Sequence, residues 1–308
     1  MTPSIAVLVP CLNEATTIAK VVADFRAALP GARVFVFDNG SSDATRENAA
    51  AAGASVRNEP RRGKGNVVRR MFADIDADFY VLVDGDDTYE PSAAPAQIAR
   101  MTEEGLDFVN VARRTGEQGA FRLGHRFGNR ALSQTVQAIF GRDSRDMLSG
   151  YKLLSRRYVK SFPATSSGFE TETELTVHAL ELALPVAELD TPYYARPEGS
   201  VSKLNTYRDG MRILGTILKL YRSEKPLRFF TAIGVFLILF SIGLAIPIVV
   251  TYIEEGVVPR LPTAVLSMGL MILAMLSVAS GLVLDTVTRG RREMKLLAYL
   301  SHPPVGKN

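Results

Sequence analysis

The chain has 308 residues, of which 47% are hydrophobic, and its single cysteine is Cys11. One cysteine excludes a disulfide within the chain and fits a reducing compartment. The 36 lysines and arginines exceed the 32 acidic residues, so the net charge is +4. The basic residues collect beside apolar segments, which disfavours nucleic acid as the partner. Because the first residues lack a basic segment, we expect no signal peptide.

The first two thirds of the chain alternates predicted strands and helices. Apolar or β-branched runs predict strands at residues 5–9, 34–37, 54–57, 79–83 and 108–111, and a turn and strand at 146–155. Helical spacing of apolar residues predicts helices at 18–25, 67–75, 94–102, 119–140 and 170–184. Unbroken apolar runs suit strands that are buried on both faces. The alternation therefore predicts an α/β fold, with a mainly parallel sheet and helices on both of its faces.

The strand at 79–83 runs directly into the acidic sequence Asp84-Gly85-Asp86-Asp87. Three carboxylates in four residues repel each other unless a divalent cation lies between them, and hard cations prefer oxygen ligands. Gly85 allows the chain to approach a ligand closely, and ligands of open α/β folds bind at this edge of the sheet. The sequence thus predicts a metal site with Asp84 and Asp86 as ligands. The alternative is a solvated acidic turn.

Two further loops, at residues 10–14 and 38–43, are predicted to reach the same edge. A basic glycine loop at 61–66 adds Lys64, a point charge suited to phosphate. It is not a Walker A loop, because Gly65 stands where that motif needs Ser or Thr, and no Gly-x-Gly-x-x-Gly follows the first strand. With a metal ion between the two aspartates, the edge would suit a nucleoside diphosphate derivative.

The last third of the chain indicates a membrane anchor. Residues 206–223 have apolar residues at the spacing of an amphipathic helix. The stretch from 203 to 228 contains seven basic and two acidic residues. This is the profile of a helix on an anionic membrane surface. The uncharged runs 229–253 and 261–284 each exceed the roughly 20 residues that cross a bilayer. The loop 254–260 holds one basic residue and the flanks hold many, which predicts cytoplasmic flanks.

These observations give the expected domain organisation. It comprises a cytoplasmic catalytic domain at 1–205, an interfacial amphipathic helix at 206–228, transmembrane helices at 229–253 and 261–284, and a basic cytoplasmic tail at 285–308. The expected location is the inner membrane, as a multi-pass protein with both termini in the cytoplasm. Two spans can also pack against copies of the chain, which allows a homo-oligomer.

Several motifs resemble those of a known enzyme family. The ordered set is VPCLNE at 9–14, DNGSSDAT at 38–45, RRGKGN at 61–66 and DGDDTY at 84–89, and it looks like that of GT-A family 2 glycosyltransferases. SGYKLLSRR at 149–157 and RPEGSVSKL at 196–204 resemble the polyprenyl-phosphate glycosyltransferase branch. That branch includes dolichol-phosphate mannose synthases and bacterial relatives with two C-terminal membrane helices. The resemblance covers residues 4–205, and the two spans match the bacterial relatives.

The resemblance implies a donor site for a nucleotide-sugar. It assigns donor binding to Pro10, Asn13, Glu14, Asp38, Lys64, Asp84, Gly85 and Asp86. Asp84 and Asp86 would hold Mg²⁺ or Mn²⁺ against the donor diphosphate, and Asp86 is also a catalytic candidate. Many relatives have Asp where this chain has Asn39, so no role is carried over to that residue.

A polyprenyl phosphate acceptor fits a membrane-anchored domain with a basic interfacial helix. Candidates for its phosphate are Arg113, Arg126, Arg130 and Ser133 and, by resemblance, Arg196, Ser202 and Lys203. The alternative for the first group is a solvated basic helix face. A phosphate monoester is largely dianionic at neutral pH, so it can attack the sugar without a strong base. Asp146 is the carboxylate expected to orient the acceptor; its alternative role is a cap.

The expected reaction is one in-line displacement that inverts the anomeric carbon and charges a lipid carrier for cell-envelope glycans such as lipopolysaccharide. A UDP-sugar is the favoured donor, and a GDP-mannose-using synthase is the nearest alternative. Processive polysaccharide synthases and ceramide-type enzymes carry a Gln-x-x-Arg-Trp motif, and this chain has no tryptophan. A sugar-phosphate nucleotidyltransferase would need no anchor. An inactive membrane scaffold is a further alternative, which the intact Asp84, Asp86 and Lys64 disfavour.

Overall fold

The computed structural model describes residues 3–114, 133–134, 136–138, 146–168, 170–194, 215–216 and 218–305. They form two compact units. The first contains the described residues up to 194 together with 294–305, and the second contains those from 215 to 293. Arg126, Arg130, Arg196, Ser202 and Lys203 lie outside the described residues, as do 206–214 of the predicted amphipathic helix.

The first unit is built on a seven-stranded sheet. Its strands are β1 (Ile5–Cys11), β2 (Arg33–Asp38), β3 (Ser55–Asn58), β4 (Phe79–Leu82), β5 (Phe108–Arg114), β6 (Lys152–Ser155) and β7 (Val186–Pro192). Their order across the sheet is β3-β2-β1-β4-β6-β5-β7. Strand β6 is antiparallel to both neighbours, and every other pair is parallel. The predicted α/β fold with a mainly parallel sheet is confirmed.

Helices cover both faces of this sheet. They are α1 (Ile18–Ala28), α2 (Thr45–Ala51), α3 (Lys64–Asp74), α4 (Ala94–Glu104), α5 (Arg156–Ser161) and α6 (Thr171–Glu181), with a 3-10 turn at Pro91–Ala93. Alternate residues of β1 enter different cores. Leu8 packs in the layer that contains Met71 of α3 and Leu175 of α6, and Val9 packs in the layer with Phe25 of α1. Burial on both faces explains the unbroken apolar sequence of β1.

Three local features differ from the sequence prediction. Helix α3 begins at Lys64, not at Val67, so Lys64 stands in the first turn of a helix. Helix α5 was not predicted; Ser155 caps it by accepting a hydrogen bond from the backbone N–H of Tyr158. Strand β7 was missed because its sequence, VAELDTP, is rich in residues that are uncommon in strands, and it lies half-buried at the edge of the sheet.

The second unit contains two long apolar helices. Helix α7 spans Pro226–Glu255 and the next helix, α8, spans Leu261–Leu300; the mean hydropathy of their most apolar windows is 2.8 and 2.1. Both are long and apolar enough to cross a membrane by length and composition. The Ser241 and Ser267 hydroxyls each donate to the backbone carbonyl of the other residue, at 2.8 and 3.0 Å. Such small polar residues are common where membrane helices pack closely.

The end of α8 belongs to the first unit, although the sequence predicted a separate tail at 285–308. The Tyr299 ring lies in the core layer of α3 and α6, and its hydroxyl donates to Asp107 Oδ2 at 2.7 Å. Lys295 Nζ lies 2.6 Å from Glu181 Oε2. The Arg157 guanidinium lies 4.7 Å from the centre of the Tyr299 ring. Residues 294–305 are therefore an integral part of the sheet domain.

Candidate active site

The three predicted loops meet at the carboxyl edge of β1, β2 and β4. The backbone N–H of Asn13 donates to Ser41 Oγ, and that of Glu14 donates to Thr45 Oγ1, both at 2.8 Å. The Thr17 hydroxyl donates to the backbone carbonyl of Gly85 at 2.6 Å. The candidate residues thus lie at one edge, on these loops or on the ends of the strands and helix beside them: Pro10, Asn13, Glu14, Asp38, Lys64, Asp84, Gly85 and Asp86. Ligands of parallel sheets bind at this kind of edge.

At this edge, the Asp84 carboxylate forms an ion pair with the ammonium group of Lys64. Its Oδ1 lies 2.5 Å from Lys64 Nζ, and Nζ lies 2.5 Å from Oε1 of Glu172 on α6. The Lys64 side chain is 12% exposed and that of Asp84 is 30% exposed. Burial alone would lower the pKa of Lys64, but the two carboxylates raise it above its ordinary value. Lys64 is therefore a charged link between the acidic loop and α6.

Glycines allow this link to form. A Cβ at Gly150, in the turn before β6, would collide with the Asp84 carboxylate. A Cβ at Gly63 or Gly65 would collide with the backbone carbonyls of residues 166–167, so the glycines beside Lys64 are needed for the close approach of the segment that precedes α6. Gly85 has a similar role, since a Cβ there would collide with Cys11 Sγ. The sequence predicted that Gly85 makes room for a ligand, and in this structure it makes room for β1.

The second predicted metal ligand, Asp86, is 4% exposed and accepts a hydrogen bond from Thr88 Oγ1 at 2.6 Å. Asp87 has a positive φ of 56° and pairs with Lys20 at 2.7 Å. Among the described residues, no group of three or more metal-ligating side chains comes together. Mg²⁺ is often held by one or two carboxylates plus substrate phosphates. Asp84 and Asp86 fit an ion of that kind, which would gain further oxygen ligands from the donor.

Two polar side chains at the carboxyl end of β2 are held by several hydrogen bonds. The buried Asp38 carboxylate accepts hydrogen bonds from the backbone N–H groups of Gly40 and Ser41, all at 3.1 Å. Asn39 donates to the carbonyls of Glu59 and Arg61 at 2.9 and 2.7 Å. Its oxygen accepts from Gly63 N–H at 2.7 Å. A carboxylate has no hydrogen to donate, so Asp at this position would lose two of these three bonds.

Of the predicted acceptor residues that the structure describes, Arg113 forms an ion pair with Asp146. Arg113 Nε and Nη2 donate to the two oxygens of Asp146, each at 2.7 Å, and the Arg113 backbone N–H donates to Oδ2 at 3.1 Å. Burial would raise the pKa of Asp146, but its contacts with Arg113 hold it below the ordinary value. Ser133 is 8% exposed, and its hydroxyl has no hydrogen-bond partner among the described residues.

Burial makes the side chains of Cys11 and His178 unsuited to act as a nucleophile or a base. Burial raises the pKa of the Cys11 thiol, so Cys11 stays protonated. His178 lies on α6, where burial lowers its imidazole pKa to about 3. Its Nε2 lies 2.9 Å from Ser161 Oγ. Neither side chain is suited to accept a proton in the reaction.

Glu172 is a site residue that was not predicted from the sequence. Its position in a helix-forming stretch, TETEL at 171–175, gave no sign that it faces Lys64. The signal available was a second acidic pair, Glu170 and Glu172, in a helix with polar residues on several faces. Recognising the contact required the antiparallel β6 and the turn at 166–168, which bring α6 beside α3.

Comparisons with known proteins show the family to which the chain belongs. The family model described as Glycosyl transferase family 2 matches residues 6–162. Glycosyltransferase AglJ of Haloferax volcanii is 34% identical over 303 residues, which cover 96% of this chain and 98% of the relative. Protein RfbJ of Shigella flexneri is 52% identical over 124 residues, covering 40% of this chain and 96% of the relative.

A solved structure matches the fold as well. Glucosyl-3-phosphoglycerate synthase from Mycobacterium tuberculosis, in complex with Mn²⁺, UDP-glucose and phosphoglyceric acid, superposes with a TM-score of 0.58 and 25% identity. The match covers 71% of this chain and 79% of that one. The GT-A fold expected from the motifs is confirmed. The family model matches half of the chain, and a relative that is 34% identical matches nearly all of it. The chain therefore belongs to glycosyl transferase family 2.

Proposed function

We propose that this glycosyltransferase moves a sugar from a nucleotide-sugar, with UDP-sugars favoured, to a polyprenyl phosphate of the undecaprenyl type at the cytoplasmic membrane face. The observation that carries the proposal is the part-exposed Asp84 carboxylate, which pairs with Lys64 at the carboxyl edge of the sheet. The same chain has two apolar C-terminal helices. The first feature suits a donor diphosphate and the second suits a lipid acceptor.

The donor half rests on the acidic loop. Asp84 and Asp86 would hold Mg²⁺ or Mn²⁺, and the ion would neutralise charge on the departing diphosphate. Lys64 would supply a second positive charge beside it. The relative solved with Mn²⁺ and UDP-glucose supports both a divalent ion and a uridine nucleotide. The loops at Pro10–Glu14 and Asp38–Asp43 would line the nucleoside.

The acceptor half rests on the apolar helices and the end of α8. Residues 294–305 pack on the sheet domain, which supports a topology with that domain and the segment after the second helix on one side of the membrane. Low-salt glycan biosynthesis hexosyltransferase Agl6 of Haloferax volcanii is 28% identical over 216 residues, which supports a role in glycan assembly. The candidate phosphate contacts remain Arg113, Arg126, Arg130, Ser133, Arg196, Ser202 and Lys203.

The proposed reaction is a single displacement. An acceptor phosphate oxygen attacks the anomeric carbon while the bond from that carbon to the donor diphosphate breaks, and its electron pair leaves with the nucleoside diphosphate. Attack from the opposite face inverts the configuration. Asp146 is engaged by Arg113 on both of its oxygens, so we assign it a positioning role: it holds Arg113 beside the Tyr193 ring, 5.4 Å away.

A soluble phosphorylated acceptor is the second candidate. It is favoured by the likeness to glucosyl-3-phosphoglycerate synthase, both in structure and in a Mycolicibacterium smegmatis relative that is 36% identical over 93 residues. The two acceptors share a phosphate group and differ in the hydrophobic chain. A GDP-mannose-using synthase would differ in the donor, and an inactive scaffold would transfer no sugar.

One assay separates these candidates. The full chain in lipid nanodiscs would be incubated with Mg²⁺ or Mn²⁺, a labelled nucleotide-sugar panel that includes GDP-mannose, and either undecaprenyl phosphate or 3-phosphoglycerate. We expect label in the organic extract with a UDP-sugar and the lipid acceptor. Label only in the aqueous product would favour the soluble acceptor, and no transfer with any donor would favour the scaffold.

The topology has its own test. Cys11 is buried, so single cysteines can be placed at exposed Val257, in the loop between the apolar helices, and at exposed Glu103 on α4. In intact bacterial cells with a permeabilised outer membrane, an impermeant maleimide should label Val257→Cys and spare Glu103→Cys. Equal labelling of both positions would contradict the two-span arrangement.

A further inference from the structure

The Lys64 ammonium is shared by two carboxylates that differ in exposure. Nζ lies 2.5 Å from one oxygen of Asp84 and 2.5 Å from one oxygen of Glu172. The Asp84 side chain is 30% exposed and the Glu172 side chain is 8% exposed. The second oxygen of Glu172, Oε2, is buried and has no hydrogen-bond partner among the described residues.

We propose that Glu172 is a positioning residue that holds Lys64 in place while Lys64 exchanges Asp84 for the donor diphosphate. Before the donor binds, Lys64 neutralises Asp84. With the donor bound, Asp84 and Asp86 would hold the metal ion, and Lys64 would then be free to contact the phosphate oxygens. Glu172 remains its partner throughout. This inference rests on the metal-assisted donor site of the proposed function.

The exchange follows from the charges. A divalent cation on Asp84 would lie within a few ångströms of an ammonium on the same carboxylate, and the two positive charges repel. Lysine binds as a point charge through rotatable N–H donors, so it can leave Asp84 with a small side-chain movement. Asp84 is the more exposed of the two carboxylates, so it is the one that an incoming ion reaches.

Glu172 is needed because Lys64 is buried. The Lys64 side chain is 12% exposed, and a buried ammonium without an opposite charge is unfavourable, so Lys64 needs a second partner once Asp84 is taken. Glu172 stands on α6, a different element from the acidic loop, and the segment before α6 is held against Gly63 and Gly65 by close backbone packing. The Glu172 carboxylate can therefore stay with Lys64 after Asp84 has been taken.

Two other roles for Glu172 predict different behaviour. As a direct metal ligand, Glu172 would strengthen metal binding whether or not Lys64 is present. As a purely structural partner, it would affect the stability of the domain and leave metal and nucleotide affinities unchanged. A double-mutant cycle on metal binding separates these roles from positioning through Lys64.

The test is a Mn²⁺ titration followed by electron paramagnetic resonance on the full chain, without nucleotide, for wild type, Lys64→Met, Glu172→Gln and the double variant. Lys64→Met frees Asp84, so we expect Mn²⁺ to bind about tenfold more tightly. Glu172→Gln leaves Lys64 to Asp84 alone, so we expect binding about fivefold weaker. In the Lys64→Met background, Glu172→Gln should change the affinity by less than about twofold.

The nucleotide arm should reverse the sign for Lys64. With saturating Mn²⁺, Lys64→Met should weaken UDP binding about tenfold, because a charged phosphate contact is lost. A Glu172→Gln effect that persists at full size in the Lys64→Met background would overturn positioning in favour of direct ligation. Unchanged Mn²⁺ affinity in Lys64→Met would also overturn the exchange.

The outcomes keep this inference apart from the proposed function. If wild type binds Mn²⁺ neither alone nor with UDP, the metal site of the proposed function and this inference both fall. If wild type binds Mn²⁺ and UDP together but the variants show none of the expected changes, this inference alone falls. Should Glu172→Gln not fold, Glu172→Asp replaces it in the cycle: its shorter side chain should weaken Mn²⁺ binding when Lys64 is present and not in the Lys64→Met background.

Discussion

Carboxylates lie at both edges of the sheet where its strands begin or end. They differ in how many hydrogen bonds their oxygens accept. At the edge opposite the candidate site, Asp107 is 1% exposed and accepts hydrogen bonds from Ser155 Oγ, from Arg157 Nε and Nη2, and from Tyr299 OH. At the carboxyl edge, Asp84 is part-exposed and is held by a single lysine among the described residues.

The difference separates a structural carboxylate from one that can bind a ligand. Four donors with good geometry leave Asp107 little capacity to accept another partner, so its charge is used to join β5, α5 and the end of α8. Asp84 keeps oxygens accessible to an incoming ion, and its partner Lys64 can be exchanged. The carboxylate with fewer donors therefore lies at the edge where α/β folds bind ligands.

The largest expected effect is on transfer at the carboxyl edge. Asp84→Asn keeps the shape of the side chain and removes its charge, so metal-assisted stabilisation of the leaving diphosphate is lost. We expect the rate of sugar transfer to fall about a thousandfold, with little change in stability. Asp24→Asn is the matched control, because Asp24 is an exposed partner of Lys20. Near-normal transfer by Asp84→Asn would contradict the role of this edge.

The opposite edge should respond in stability. Asp107→Ala leaves the Arg157 guanidinium, which is 18% exposed, without its counter-charge, so the free energy of unfolding should fall by about 3–5 kcal/mol. The surface pair of Arg100 and Glu104 gives the control, since Glu104→Ala should cost less than about 1 kcal/mol. Chemical denaturation in detergent measures both. A small effect of Asp107→Ala would remove the distinction between the edges.

The pH dependence of stability reports on the packing of α6 away from the site. The unfolded chain protonates His178 near pH 6.5, whereas burial holds the folded pKa at about 3. Stability should therefore fall as the pH drops below 6.5, by up to about 1.4 kcal/mol per pH unit. His178→Gln cannot be protonated in this range. Between pH 6.5 and 4.5 it should lose about 2–3 kcal/mol less than wild type; equal losses would show that His178 is accessible to protons.

The smallest expected effect concerns the end of α8. Tyr299→Phe removes one hydrogen bond to the charged Asp107 and keeps the ring in the core, so the free energy of unfolding should fall by about 1–2 kcal/mol. Tyr194→Phe is the control, because Tyr194 is 48% exposed and donates to the surface residue Glu90. It should have little effect. If the two variants behave alike, residues 294–305 do not stabilise the sheet domain.

Much of the fold could be predicted from the sequence, because strands buried on both faces need unbroken apolar runs. The run at 79–83 also located Asp84, since the acidic residues follow it directly. What could not be predicted depends on distant contacts: Glu172 reaches Lys64 only after β6 turns antiparallel, and Asp107 meets Tyr299 only after α8 returns to the sheet domain. The role of Asn39 became clear only from its three backbone partners.

The most direct test of the donor site is an anomalous diffraction measurement on the full chain crystallised with Mn²⁺ and UDP. The account predicts a manganese peak about 2 Å from a carboxylate oxygen of Asp84 or Asp86, with the UDP phosphates beside it and Lys64 Nζ nearer to a phosphate oxygen than to Asp84. UDP bound at this edge without manganese at either aspartate, or bound elsewhere on the chain, would contradict it.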